Sequence, residues 1–130
     1  MSPNAETPRL RAVVAEDEAL IRLDVVELLT AAGYTVVAEA GDGRAAVDAV
    51  REHRPDIVVM DVMMPVMDGL TATREIRRNQ SWKKLPIITL TAKAMPDDQQ
   101  RCIEAGANDY MAKPLDVEKL LSLVRVWMPQ

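Results

Sequence analysis

Five short apolar runs, each followed by an amphipathic stretch of helical period, constrain the fold of this 130-residue chain more than any other feature. The runs are RAVVA (11–15), TVVAEA (35–40), DIVVMD (56–61), PIITLT (86–91) and DYMA (109–112). Their valine and isoleucine content, with almost no polar interruption, predicts strands of a parallel sheet covered on both faces. Helices are predicted over 18–32, 43–53, 69–79, 97–105 and 116–128, with Gly33 and Gly106 as stops and Asp42 and Asp116 as N-caps. Strand–helix alternation repeated five times implies an α/β, doubly wound, five-stranded parallel sheet with right-handed crossovers. Such a length suits one domain, from residue 9 to 130, preceded by a polar, proline-bounded tail over 1–8 that reads as disordered.

Charge and cysteine content narrow the function classes. A net charge of −4, with no long basic run, argues against direct nucleic-acid binding, which needs a concentrated basic face. No apolar stretch approaches the roughly 18 residues of a membrane span, and no signal peptide opens the chain. Cys102 is the single cysteine and cannot form an internal disulfide, which fits a reducing cytoplasm. It reads as a side chain packed on the sheet, and His53 as a solvated cation ending the second helix.

Ligands of open α/β sheets bind beyond the carboxyl ends of the strands, near the topological switch point. The residues there are Glu16 and Asp17 after strand one, Gly41 and Asp42 after strand two, Asp61 after strand three, Thr91 and Ala92 after strand four, and Lys113 after strand five. Three carboxylates in one pocket repel and raise one another's pKa unless a cation joins them. Oxygen donors without His or Cys suit a hard ion, and Mg²⁺ keeps waters free for a phosphate. With Mg²⁺ and Lys113 around it, Asp61 can act as a nucleophile toward a phosphoryl group and become an aspartyl phosphate. The bland alternatives are carboxylates that merely cap helices. For Glu16 and Asp17, capping the first helix and binding a metal are compatible.

From about Arg11 to Met128 the chain resembles the receiver domain of two-component response regulators. The resemblance rests on AEDEA (15–19), VMDVMMPVMDG (59–69), LTA (90–92) and DYMAKP (109–114), in that order. It implies a flavodoxin-like receiver fold with strand order 2-1-3-4-5 and five helices. It implies Asp61 as phosphoacceptor, Asp17 and Asp61 as direct Mg²⁺ ligands, Glu16 as a ligand through water, and the Met63 carbonyl as a further contact. Thr91, Lys113 and the Ala92 N–H would hold the phosphoryl group, and Lys113–Pro114 matches the family's cis peptide. Thr91 and Tyr110 would form the switch that rearranges the fourth helix, fifth strand and fifth helix. Met63 and Lys93 stand where the family tunes phosphoryl lifetime. Apolar Met63, and a Lys93 without a carboxamide or carboxylate to orient water, imply slow self-dephosphorylation. The implied role is a signalling phosphoacceptor rather than a metabolic enzyme.

Ile21, Val25, Leu28 and Leu29 share one face of the first helix and read as core. Leu20 and Leu23 point the other way, and such exposed apolar pairs usually mark contacts. The resemblance assigns them to the phosphodonor, a histidine kinase or histidine phosphotransfer domain; isolated surface leucines without a role are the alternative. The eight methionines read mainly as core filler, with Met63 and Met64 shielding the site. Three rivals fit less well. A haloacid-dehalogenase-like phosphatase would place a second Asp at position 63, and an FMN-binding flavodoxin would need a Ser/Thr/Gly-rich loop where AEDEA stands. A receiver-like module that is never phosphorylated would not need the acid–Thr–Lys set. Through Asp61 the chain resembles free-standing regulators or those joined to RNA-binding antitermination modules. From MPVMDGLTATREIRR (64–78) onward it resembles receivers fused to hybrid kinases, so a stand-alone regulator, an excised receiver and a joined chain all stay open.

Overall fold

The computed structural model describes residues 10–92 and 95–128. The proposed tail over 1–8 and Lys93 lie outside them. Five parallel strands, β1 (Arg11–Ala15), β2 (Thr35–Ala40), β3 (Ile57–Asp61), β4 (Ile87–Thr91) and β5 (Asp109–Ala112), form one sheet in the order β2-β1-β3-β4-β5. The helices are α1 (Ala19–Ala31), α2 (Gly43–His53), α3 (Gly69–Arg77), α4 (Pro96–Ala105) and α5 (Val117–Trp127). Among the described residues, no helix is long and apolar enough to cross a membrane.

Strand period two divides the core. Val13, Ala15, Val58, Met60 and Ile87 point to one face, where Ala46, Val47 and Val50 of α2 and Ala72 and Ile76 of α3 cover them. Ala12, Val14, Ile57, Val59, Ile88 and Leu90 point to the other, against Val25 and Leu29 of α1 and Leu120 and Val124 of α5. Fully burying each of the Val, Ile, Leu and Met side chains among them contributes about 1.5–3 kcal/mol. This is why the strands read as continuous apolar runs rather than alternating ones. Cys102 and Ala105 of α4 close a smaller cluster with Leu70 and Ala107.

Helix ends follow local chemistry. Asp42 and Asp116 accept hydrogen bonds from the Ala45 and Lys119 amides, as predicted. Asp68, within the 59–69 motif, caps α3 by accepting from the Thr71 amide. Gly33 and Gly106 adopt φ of 97° and 111° past the ends of α1 and α4, where a side chain would be strained.

Three expectations need correction. The third helix stops at Arg77 rather than at residue 79, and Gln80–Trp82 forms a separate 3₁₀ turn. Asn79 accepts from the Ser81 amide and starts that turn. β2 is mostly half-buried, because it is an edge strand with a neighbour on one side only. Met64 belongs to the core, whereas Met63 beside it is 68% exposed, so only Met63 lies at the site. The remaining helix and strand bounds match the expectation or shift by one residue.

Candidate functional site: an acidic pocket at the strand ends

The register of the sheet assembles the site. Ala15 pairs with Met60 across β1 and β3, so Glu16 and Asp61 emerge side by side where the strand order reverses. Thr91 pairs with Ala112 across β4 and β5, which brings Lys113 to the same edge. Asp61 is 2% exposed and Glu16 fully buried, while Asp17 is exposed. Each of these three carboxylates offers an oxygen within 4.8 Å of the others.

Lys113 is the visible compensation for that buried charge. Its Nζ lies 2.6 Å from Glu16 Oε1 and 3.2 Å from Asp61 Oδ1. The Glu16 contact is an ion pair without hydrogen-bond alignment, since buried Oε1 has no hydrogen-bond partner. Glu16 Oε2 accepts from the Glu18 amide at 3.3 Å. The Lys113–Pro114 peptide is cis.

These contacts set the protonation of the pocket. Burial pushes the Asp61 carboxyl up to about 7, and the hydrogen bond and negative charge of Glu16 push the same way against Lys113. Burial also acts to raise Glu16, but its close contacts with Asp61, the Lys113 ammonium and the Glu18 amide outweigh it and hold Glu16 below the usual carboxylate range. For Lys113, burial favours the neutral amine, and the two carboxylates overcome it and raise its pKa. Near neutral pH, Asp61 therefore holds the exchangeable proton of the pair. A buried Glu16 oxygen lacking a hydrogen bond, within a cluster of oxygen donors, fits a small hard dication.

The loop after β3 completes the wall. Gly69 packs so closely on β3 that a Cβ there would overlap the Asp61 carbonyl oxygen, and its amide donates to Val62 O at 2.9 Å. The terminal Asp-Gly of the 59–69 motif thus has two duties, capping α3 and admitting the Asp61 backbone. Beside this loop a cavity of about 200 Å³ is lined by Met63, Leu70, Thr91, Ala92, Arg101 and Cys102. Thr91 is buried at its edge. Tyr110 is half-buried, packed on the Leu70–Cys102 cluster and bordering a groove with Gln99 and Ile103 of α4. Leu20 and Leu23 are 78% and 49% exposed, while Val25 and Leu29 are buried, as the helical period predicts.

A family model for the response regulator receiver domain matches residues 12–125. The chain belongs to that family. This receiver is 44% identical over 123 residues to the transcriptional regulatory protein PdtaR of Mycobacterium tuberculosis, covering 95% of this chain and 58% of PdtaR. It therefore spans less than two thirds of that relative. The chemotaxis protein CheY of Bacillus subtilis is 36% identical, with 88% of this chain and 93% of CheY covered. Among solved structures, the receiver domain of the sensor histidine kinase PA1611 from Pseudomonas aeruginosa has a magnesium ion coordinated in its active site cleft. It superposes with a TM-score of 0.84 at 36% identity, over 92% of this chain and 97% of that one. A CheY4 of Vibrio cholerae superposes at 0.86 with 32% identity, covering 92% and 99%. The flavodoxin-like receiver fold with strand order 2-1-3-4-5 and five α-helices is thus the fold of this chain, a two-component signalling domain with an acidic pocket suited to a divalent cation.

One neighbour of the pocket escaped sequence reading. Arg22 donates to the Glu16 carbonyl at 2.8 Å and pairs with Glu39 at 3.3 Å. It stands between Leu20 and Leu23 in α1, and only its place one turn beyond the acidic run could have marked it.

Proposed function

We propose that this receiver, spanning residues 9–130, accepts a phosphoryl group on Asp61 from a phosphohistidine of a histidine kinase or histidine phosphotransfer domain in the cytoplasm. The observation that carries the reading is the junction of Glu16, Asp61 and Lys113 at the reversal of strand order. Asp17 and Asp61 would hold Mg²⁺ directly, Glu16 through water, and Met63 through its carbonyl. The ion supplies positive charge that offsets the carboxylates and the incoming phosphoryl oxygens.

The chain's own groups do the rest. Asp61 gives up its proton to solvent and attacks phosphorus through a carboxylate oxygen, the P–N bond to the donor imidazole breaking as the P–O bond forms. The Lys113 ammonium, already shared by two carboxylates, turns to the phosphoryl oxygens. The Thr91 hydroxyl and Ala92 amide take the remaining acceptors, charge-assisted bonds that are shorter and stronger than neutral ones. The domain thereby catalyses its own phosphorylation and dephosphorylation and turns over no metabolite. Thr91 moving toward the phosphoryl group leaves space for Tyr110, and the α4–β5–α5 face changes with it. Leu20 and Leu23 contact the donor, Met63 flanks the path of a hydrolytic water, and Lys93 is the second position in the sequence that tunes phosphoryl lifetime.

Transfer from a radiolabelled histidine phosphotransfer domain tests this. Label moves to the wild type and stays on the donor with Asp61→Asn. Label that remains on every cognate donor offered to the wild type with Mg²⁺ present contradicts it.

A further inference from the structure

Glu16, Asp17 and Glu18 form an acidic run whose first two members face Asp61, and their mutual repulsion acts to open the turn between β1 and α1. The helix start adds only the long 3.3 Å bond from the Glu18 amide to Glu16 Oε2, since Glu18 at the N-cap position makes no side-chain cap bond. What holds the turn is the peptide framework of Glu16, pinned on both sides. Its N–H donates to Ala40 O at 2.9 Å, and its carbonyl accepts from Arg22 Nη1 at 2.8 Å. Arg22 curls back from the first turns of α1, and its Nε donates to Glu39 Oε1 near the end of β2 at 3.3 Å. One guanidinium thus ties α1, the acidic turn and β2 together.

We propose that Arg22 is a positioning residue for the divalent-cation site, holding the Glu16–Asp17 turn where its carboxylates meet Asp61. The proposal rests on the reading of that cluster as the Mg²⁺ site. An arginine is required because its planar fork donates to a carbonyl and a carboxylate at once, which a lysine ammonium on a flexible stem does not reproduce. Pre-gathering the ligands removes part of the ordering cost of binding, and groups that orient metal ligands typically change affinity by about 10–100-fold. Charge alone predicts the opposite sign. A guanidinium bonded to the Glu16 carbonyl repels a dication, so its removal would tighten binding if positioning contributed nothing.

Calorimetric titration with Mg²⁺ separates the two, on wild type, Arg22→Gln, Arg22→Lys and Glu39→Gln, each checked for the fold by urea unfolding. Positioning predicts that both Arg22 variants bind Mg²⁺ about tenfold or more weakly, and that Glu39→Gln, which keeps the guanidinium, weakens binding less. It also predicts that saturating Mg²⁺ restores phosphorylation by phosphoramidate to near the wild-type rate, so the defect lies in the apparent Mg²⁺ affinity rather than the maximal rate. Glu39→Gln carries the test should the Arg22 variants not fold, and unchanged Mg²⁺ affinity in it then overturns the inference. Tighter or equal binding by Arg22→Gln, or an unaffected Arg22→Lys, overturns it as well. Wild-type protein that takes up no Mg²⁺ overturns the reading of the site together with this inference, whereas equal uptake by wild type and the Arg22 variants overturns this inference alone.

Discussion

Gly69 lies against the backbone of Asp61, so that a methyl group at 69 would occupy the space of the Asp61 carbonyl oxygen. The clash is with main chain, which cannot step aside as a flexible side chain would. Gly69→Ala is therefore expected to cost about 1–3 kcal/mol despite alanine's better helix propensity. Urea unfolding measures it. The same displacement moves Asp61 from its acidic neighbours, so Mg²⁺ affinity falls in parallel.

Asp61 makes metal-free stability depend on pH. Its folded pKa, about 7, lies above the ordinary 3.8, so between those values the folded chain binds more proton than the unfolded one. Asp61's contribution to stability is therefore full below about pH 4 and is lost as pH rises toward 7, by at most about 1.4 kcal/mol per pH unit. Asn at position 61 does not titrate. In chelator-containing buffer, Asp61→Asn should exceed the wild type in stability by a margin that widens from pH 5 to pH 8. A margin that does not change with pH contradicts the raised pKa.

Mg²⁺ affinity carries the complementary signature. Binding must release the Asp61 proton below pH 7, so the apparent affinity should fall by up to about tenfold per unit as pH drops from 7 toward 5. Calorimetry in buffers of different ionisation heat would detect about one proton released per ion in that range.

Val66 is 84% exposed and adopts φ of 68°, a left-handed conformation that is an outlier for a β-branched side chain. Val66→Gly relieves that strain and removes little packing, at the cost of a more flexible unfolded chain. A net stabilisation of about 0.5–1 kcal/mol is expected, read as a higher urea midpoint at unchanged slope.

Met63 lines the cavity beside Thr91, and its apolar side chain offers no carboxamide or carboxylate to orient water. Replacing it with asparagine should shorten the phosphoryl lifetime, followed as loss of label from purified phosphoprotein. An unchanged lifetime would remove Met63 from the account of slow hydrolysis.

The pattern of residues along the chain anticipated the site better than its supports, for a physical reason. A parallel sheet places whatever follows each strand at one edge, so Glu16, Asp17, Asp61, Thr91 and Lys113 could be grouped from strand prediction alone. Gly33 and Gly106 were legible because left-handed backbone selects glycine. Long side chains were not legible, because their partners are set by tertiary packing. Arg77 donates to the carbonyls of Gly106 and Trp82 and to Asn108 Oδ1, closing the end of the sheet opposite the site, though it reads as one more surface cation of α3. Arg22 is the same case beside the pocket. Met63 and Met64 are adjacent and chemically identical, and only the path of the loop sends one to solvent and the other to the core. The exposure of β2 follows from its edge position rather than from its composition, which matches that of the central strands.

Intact-mass spectrometry after incubation with phosphoramidate and Mg²⁺ tests the central claim most directly. A cation-assembled carboxylate cluster that makes Asp61 nucleophilic predicts one added phosphoryl group on the wild type, none on Asp61→Asn, and none when a chelator removes the ion. An adduct that forms equally on Asp61→Asn, or equally without Mg²⁺, would contradict it.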